Sequence, residues 1–133
     1  MRKIILSLII IFVIVTLVII GKSLMPWDNS IKINDVTQKM AITIFSNKNG
    51  IAVIRILITG YIDGKATIKQ GNGDNVTYTY ELKAGEVYLP IETDWYEKKC
   101  IIEYSPVGVK SGNLRIRYKF ENLWGFKGWK NSK

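Results

Sequence analysis

Apolar and polar residues follow two different patterns along this chain. From Ile4 to Ile20 the residues are almost all apolar, and only Ser7 and Thr16 interrupt the run. After Lys39, short apolar or alternating apolar and polar stretches are separated by Gly, Asn and Asp, which is the pattern of β-strands joined by turns. The chain is therefore expected to contain one hydrophobic helix followed by an all-β domain.

The aliphatic run has the length of a membrane span. At ~1.5 Å rise per residue, residues 4–21 make a helix of ~27 Å, close to the roughly 30 Å thickness of a hydrocarbon core. Arg2 and Lys3 precede the run, and the charges that follow it are sparse and of both signs. By the positive-inside rule, residues 1–3 are expected in the cytoplasm and the rest of the chain outside it. Trp27 is the expected aromatic anchor at the membrane interface.

Two other interpretations of this segment compete with an uncleaved signal anchor. A buried core helix is disfavoured by the length of the run and by the charges before it. A cleaved secretory signal has an apolar region of only ~7 to 15 residues, but Gly21-Lys22-Ser23 is a small-x-small sequence that keeps a secreted β domain as the alternative. The expected organisation is a signal anchor at residues 4–21, then a linker with a candidate first strand at residues 22–39.

Five strands are predicted between residues 40 and 91, separated by short turn sequences. Asn49-Gly50 and Asp63-Gly64 are typical of hairpin turns, and such short connections force consecutive strands to run antiparallel. We therefore expect these strands to pair in sequence order as a meander, with two further strands forming a hairpin after it. The predicted strands are Met40–Ser46, Ile51–Ile62, Lys65–Gln70, Val76–Lys83, Glu86–Ile91, Lys99–Tyr104 and Asn113–Phe120.

Alternation within the strands predicts which side chains face the core. Four apolar residues alternate with three basic ones in Asn113–Phe120, so one face of that strand is expected to be buried in the core and the other exposed to solvent. In Val76–Lys83, Tyr78, Tyr80 and Leu82 form the inner row in the same way. Ile51–Ile62 is apolar on both faces, which predicts a central strand, and Gly60 is its expected bend or bulge. Residues 40–120 are predicted to form an antiparallel β-sandwich of about seven or eight short strands, Ig-like or jelly-roll-like, with a small barrel as the alternative.

Composition narrows the chemistry available to the chain. It has no histidine and a single cysteine, Cys100, which excludes Ser-His-Asp and Cys-His catalysis, zinc sites built from cysteine pairs, and an intrachain disulfide. Cys100 is expected to be a small buried hydrophobe, with an intermolecular disulfide in an oxidising compartment as the alternative. Carboxylate pairs remain, Glu92 with Asp94 and Glu81 with Glu86, but exposed acids near lysines are normally solubilising. We expect no enzyme activity, no cofactor and no metal site.

Two unusual clusters have structural explanations. Gly71–Asn75 contains oxygen ligands at Asn72 and Asp74 but lacks the regular acidic positions and the closing Glu of an EF-hand, so we expect a turn. Asp94-Trp95-Tyr96 is expected to form a corner between sheets, where Trp95 and Tyr96 close the end of the core.

Positive charge is concentrated at the two ends of the chain. Residues 22–109 carry ten basic and ten acidic residues, whereas residues 110–133 carry seven basic residues and only Glu121. The last strand and the tail at residues 121–133 together predict a basic-aromatic surface for anionic lipid or an acidic partner. Its candidate residues are Arg115, Arg117, Lys119, Trp124, Phe126, Lys127, Trp129 and Lys130. The alternative is that the aromatic residues of the tail fold back and close the sandwich.

These features define a class of function. We expect a non-enzymatic binding or accessory protein of the cell envelope, with its sandwich in the periplasm or outside the cell. The bias toward Ile, Lys and Asn is typical of bacteria. Residues 4–21 are the expected membrane contact, a protein is the expected partner, and nucleic acid binding is not expected. A toxin-immunity or inhibitor protein is one form of this hypothesis, and a structural subunit of a membrane complex is the alternative.

Overall fold

The computed structural model of the chain describes residues 7, 9–17 and 27–122. Ser7 and residues 9–17 are helical, and the apolar side chains from Ile9 to Leu17 are largely exposed. No helix among the described residues is both long and apolar enough to cross a membrane. The rest of the predicted span lies outside the described residues, as do residues 1–3 and the tail from residue 123, so these predictions stay predictions.

Residues 29–122 form eight strands in two antiparallel sheets, which confirms the predicted all-β sandwich. The strands are β1 (Asn29–Ile33), β2 (Met40–Phe45), β3 (Ile51–Ile62), β4 (Lys65–Gly71), β5 (Val76–Leu82), β6 (Gly85–Asp94), β7 (Lys99–Val107) and β8 (Gly112–Asn122). Sheet A has the order β1-β8-β3-β6, and sheet B has the order β2-β7-β4-β5. This order is that of a jelly roll.

The predicted meander and the predicted final hairpin are wrong. The connections at Asn49-Gly50 and Asp63-Gly64 carry the chain from one sheet to the other, and β7 and β8 lie in different sheets. Within the described residues, only β4 and β5 are consecutive strands that pair. A short turn fixes the relative direction of two strands, but it reaches a packed sheet ~10 Å away as well as a neighbouring strand. Turn length therefore does not identify the pairing partner.

The hydrophobic core lies between the two sheets. β3 is central in sheet A, as predicted, with Ile54, Ile56 and Ile58 buried on its inner face. Its outward-facing Val53 and Leu57 are buried too, which explains why the strand is apolar on both faces. The inner rows predicted for β5 and β8 are confirmed by the register of those strands, except that Tyr78, near the start of β5, is 38% exposed.

Gly60 does not form the predicted bulge. The registers of β3 with both of its neighbours pass through Gly60 without a shift, and the irregularity in β3 lies between Ile51 and Val53. Gly60 instead permits close packing, because a Cβ there would lie 2.1 Å from the carbonyl oxygen of Asn113. Its φ of 139° also lies in a region that favours glycine.

The corner and the turn singled out in the sequence are present. Trp95 is buried between β6 and β7, and its backbone N–H donates to the carbonyl oxygen of Ala52 at 2.9 Å. Tyr96 is 75% exposed, so the prediction that it closes the core is wrong. Asn72 and Asn75 close the β4–β5 turn, where the Asn75 N–H donates to the Asn72 Oδ1 at 3.2 Å.

The strand connections fall at two opposite ends of the sandwich, because consecutive strands run in opposite directions. We call one end the terminal end, since Asp28 and Asn122 both lie there, so that the chain enters and leaves the sandwich at the same end. The terminal end also carries the connections at residues 46–50, 72–75 and 95–98. The opposite, distal end carries the connections at residues 34–39, 63–64, 83–84 and 108–111.

Candidate binding face of sheet A

The three basic residues predicted on the last strand share the outer face of sheet A. Arg115, Arg117 and Lys119 alternate along β8 with side chains that are buried in the core. Strand β8 lies between β1 and β3, so the neighbours of these cations on the outer face come from those two strands. The predicted alternation of buried and solvent-exposed side chains along β8 is therefore confirmed.

Strand β1 adds a cation that is not among the residues predicted for this surface. Lys32 is paired with Arg115 in the register of β1 and β8. Directly opposed residues have Cβ atoms ~5 Å apart, so the two positive charges lie side by side. The sequence contains no local signal for this neighbour, because residues 22–39 are mainly polar and the partner of β1 is the last strand of the domain.

Two other cations of this face are neutralised. The Nε of Arg55 lies 2.8 Å from Glu92 Oε2, and its Nη1 lies 3.6 Å from Glu121 Oε1. Lys119 Nζ lies 3.4 Å from the same Glu121 oxygen. The buried Arg55 Nε makes no aligned hydrogen bond, so its contact with Glu92 is an ion pair only. Glu92 and Glu121 therefore neutralise the positive charge in the part of the face that is nearest to the terminal end.

The remaining cations make no ion pair or side-chain hydrogen bond with any residue that the structure describes. They are Lys32, Arg115 and Arg117, which we call the cationic strip. Lys32 and Arg115 are exposed, and Arg117 is half-buried. Neighbours on adjacent strands lie within ~8 Å of one another, so the strip concentrates three uncompensated charges and produces a local positive potential.

Two exposed tyrosines lie beside the strip, on β3 and β6. Tyr61 is 46% exposed and Tyr88 is 74% exposed. Thr59 is paired with Arg115 on one side and with Tyr88 on the other. A row of side chains from Lys32 to Tyr88 thus crosses all four strands, over a width of ~14 Å at ~4.8 Å per strand. No local sequence pattern links these tyrosines to the basic residues of β8, since they lie on different strands.

The structure brings together only part of the predicted basic-aromatic surface. Arg115 and Arg117 belong to the strip, whereas Lys119 is held in an ion pair. Strand β8 reaches Asn122 at the terminal end, ~23 Å along the strand from Arg115 at ~3.3 Å per residue. The predicted tail residues Trp124, Phe126, Lys127, Trp129 and Lys130 follow from that end and lie outside the described residues. Trp27, the predicted interface residue, precedes Asp28 at the same end and is half-buried.

The carboxylate pairs considered as catalytic candidates do not form a cleft. Glu81 lies on the outer face of sheet B and Glu86 on the outer face of sheet A, on opposite sides of the sandwich. Glu92 and Asp94 are both exposed, and Glu92 is engaged by Arg55. Within residues 7, 9–17 and 27–122, no group of three or more acidic or cysteine side chains is placed to hold a metal ion.

The fold and this face define the chain as an antiparallel jelly-roll sandwich that carries an exposed charged and aromatic face. No protein-family model and no curated protein sequence matches it.

The solved structures to which this chain shows partial similarity include carbohydrate-binding modules. A CBM4 structure has a TM-score of 0.40 and 9% identity, over 62% of this chain and 61% of that one. TmCBM61 in complex with β-1,4-galactotriose has a TM-score of 0.40 and 12% identity, over 72% of this chain and 66% of that one. The carbohydrate-binding module CBM36 in complex with calcium and xylotriose has a TM-score of 0.38 and 10% identity, over 70% and 88%.

Proposed function

We propose that this chain is a non-enzymatic binding protein of the bacterial cell envelope, held at the membrane by residues 4–21, whose cationic strip binds an acidic protein surface. The observation that supports it is the contrast within one face. Arg55 and Lys119 have carboxylates of the same chain beside them, whereas Lys32, Arg115 and Arg117 have none among the described residues. Neighbouring positive charges that have no counter-charge within the domain are available to bind an acidic partner.

Arginine and tyrosine suit this face to a protein partner. A guanidinium binds a carboxylate through two parallel hydrogen bonds, and Arg115 and Arg117 stand two residues apart on one strand face. Tyrosine and arginine are enriched among the residues that dominate protein interfaces, and Tyr61 and Tyr88 offer large exposed rings next to the strip. The charges steer the encounter and the rings supply contact area.

The first experiment measures binding of a defined acidic peptide, polyglutamate, to the full chain. The variant Arg115→Gln/Arg117→Gln removes two charges of the strip, and Lys65→Gln/Lys69→Gln removes two exposed charges from the outer face of sheet B. At about 1 kcal/mol per charge, the strip variant should bind roughly thirtyfold more weakly, while the control binds as the original chain does. Equal losses in both variants would mean that binding follows net charge, and the strip proposal would fail.

The second experiment identifies the kind of partner. A photo-crosslinking amino acid in place of Tyr88, which is 74% exposed beside the strip, should capture the partner in cells at this face. Capture of a secreted toxin or lytic enzyme supports an immunity or inhibitor role. Capture of a neighbouring membrane protein supports the structural-subunit alternative. The same amino acid at Thr79, on the outer face of sheet B, is the matched control and should capture neither.

A further inference from the structure

Exposed apolar side chains gather at the terminal end of the sandwich. Between residues 27 and 122, seven large apolar or tyrosine side chains are exposed, and four of them lie at or next to the terminal end. Those four are Phe45 at 65%, Val76 at 55%, Tyr78 at 38% and Tyr96 at 75% exposure. They belong to the end of β2, the start of β5 and the β6–β7 connection, so they surround the end rather than form one row.

The proposed membrane anchor places this same end close to a bilayer. Only residues 22–26 separate the proposed span from Trp27, and five residues reach at most ~17 Å when fully extended. The headgroup layer on each side of the hydrocarbon core is itself ~6 Å thick. The terminal end is therefore within reach of the headgroups, whereas the distal end is a full strand length further away. This step rests on the proposed function, namely on its membrane anchoring.

Charges at the terminal end nearly balance, because three lysines (Lys48, Lys98 and Lys99) are opposed by four acids (Asp28, Asp74, Asp94 and Glu97). Lys48 Nζ lies 2.8 Å from Asp28 Oδ2, and Lys98 Nζ donates to Asn49 Oδ1 at 3.0 Å. Glu97 accepts a hydrogen bond from the Asn72 amide at 2.8 Å. Attraction by net charge is thus weak at the described part of this end, and apolar insertion is the larger contribution that a membrane contact would have here.

We propose that the terminal end lies in the headgroup region of the membrane that residues 4–21 span, with Tyr96, Phe45 and Val76 inserted among the lipids. Aromatic side chains are favoured at this depth because they combine an apolar ring with tolerance of the wet interface. An open hollow of about 560 Å³ between the start of β1 and the end of β2 lies at the same end, with Phe45 on its border. In this orientation the strands stand upright on the bilayer, and the cationic strip faces sideways toward a protein partner.

The experiment places a single spin label on the full chain in phosphatidylcholine vesicles. Asn47→Cys labels the terminal end and Ala84→Cys labels the distal end, and both positions are exposed. The native Cys100 is fully buried and does not compete for the label. Collision of the label with a water-soluble nickel chelate should be severalfold slower at position 47 than at position 84, and collision with lipid-soluble oxygen should be faster.

A matched pair of variants separates insertion from mere proximity. Phe45→Ser/Tyr96→Ser, made in the Asn47→Cys background, should return the label at position 47 to the nickel accessibility of position 84. Tyr61→Ser/Tyr88→Ser removes two exposed aromatic rings from the outer face of sheet A and should leave that accessibility unchanged. Equal nickel accessibility at positions 47 and 84 in the chain without these substitutions would overturn the docking proposal.

The vesicle composition and the strip variant distinguish the remaining outcomes. Protection of position 47 should persist in neutral vesicles; protection that requires anionic lipid would assign the contact to the lysines of the tail instead and overturn this proposal. A chain that does not sediment with the vesicles would overturn both the anchor and the docking. Arg115→Gln/Arg117→Gln should leave the label accessibility unchanged, so a failure of the strip proposal and a failure of docking give different results.

Discussion

Lys48 Nζ lies 2.8 Å from Asp28 Oδ2, and this ion pair joins the β2–β3 connection to the start of β1. Both side chains also bind the backbone of Phe120 in β8. The Lys48 ammonium donates to the Phe120 carbonyl oxygen at 2.7 Å, and the Phe120 N–H donates to Asp28 Oδ2 at 2.9 Å. Two side chains thus connect three segments at the terminal end.

The first prediction concerns this connection. Asp28→Ala should lower the free energy of unfolding by ~1–3 kcal/mol, because it leaves the half-buried Phe120 N–H without its acceptor and Lys48 without its counter-ion. Urea denaturation followed by tryptophan fluorescence measures the change. Asp74→Ala, at an exposed turn position, is the control and should change stability by less than ~0.5 kcal/mol. A loss of the same size in both variants would contradict the role given to Asp28.

The second prediction concerns a polar contact across the core. Gln70 of sheet B is fully buried, and its Nε2 donates to Thr93 Oγ1 of sheet A at 3.0 Å, while its Oε1 has no partner among the described residues. Thr93→Val removes the hydroxyl that accepts the hydrogen bond from Gln70 Nε2 and should cost ~1–3 kcal/mol. Gln70→Met combined with Thr93→Val removes the buried polar atoms altogether and should recover most of that loss. A double variant less stable than Thr93→Val alone would show that the Gln70 amide stabilises the core in another way.

The third prediction concerns stability in acid. Asp63 Oδ1 accepts backbone hydrogen bonds from Ser111 and Lys110, which lower the pKa of this carboxyl from its ordinary value of 3.8. A group whose pKa is lowered on folding contributes stability above its unfolded pKa and loses that contribution as the pH falls through its folded pKa. The chain should therefore lose stability below about pH 4, and Asp63→Asn should lose less on the same acidification. Denaturation curves at pH 7 and pH 3 measure the difference, and an unchanged pH dependence in Asp63→Asn would rule out this contribution.

The fourth prediction concerns the reactivity of the single cysteine. Cys100 is fully buried on the inner face of β7, and burial raises the pKa of its thiol to about 12. Since the thiolate is the reactive form, the folded chain should not react with a thiol reagent at pH 8. The same chain in denaturant should react rapidly with one equivalent of the reagent. Fast reaction of the folded chain, or a disulfide-linked dimer under oxidising conditions, would show that Cys100 becomes accessible.

Most of what the sequence could predict follows from the alternation of apolar and polar residues within each strand. Side chains point to opposite faces along a strand, so the inner row of β8 and its three outer cations follow from eight neighbouring residues without knowledge of the partner strand. The same reasoning identified β3 as central from its apolar residues on both faces. The sandwich, the buried Cys100 and the positions of Arg115 and Arg117 are predictions of this kind, and the structure confirms them.

Pairing between distant segments was decided only by the tertiary structure. The backbone of any strand can bond to any other, so the sequence near Lys32 contains nothing that points to Arg115, and a two-residue turn serves a hairpin and a sheet crossing equally well. The cationic strip, the neighbouring tyrosines and the gathering of Phe45, Val76 and Tyr96 at one end all depend on that choice of partners. Strands pair in the arrangement that buries the inner faces of both sheets at the same time. This is a property of the whole core, so no single stretch of the chain contains it.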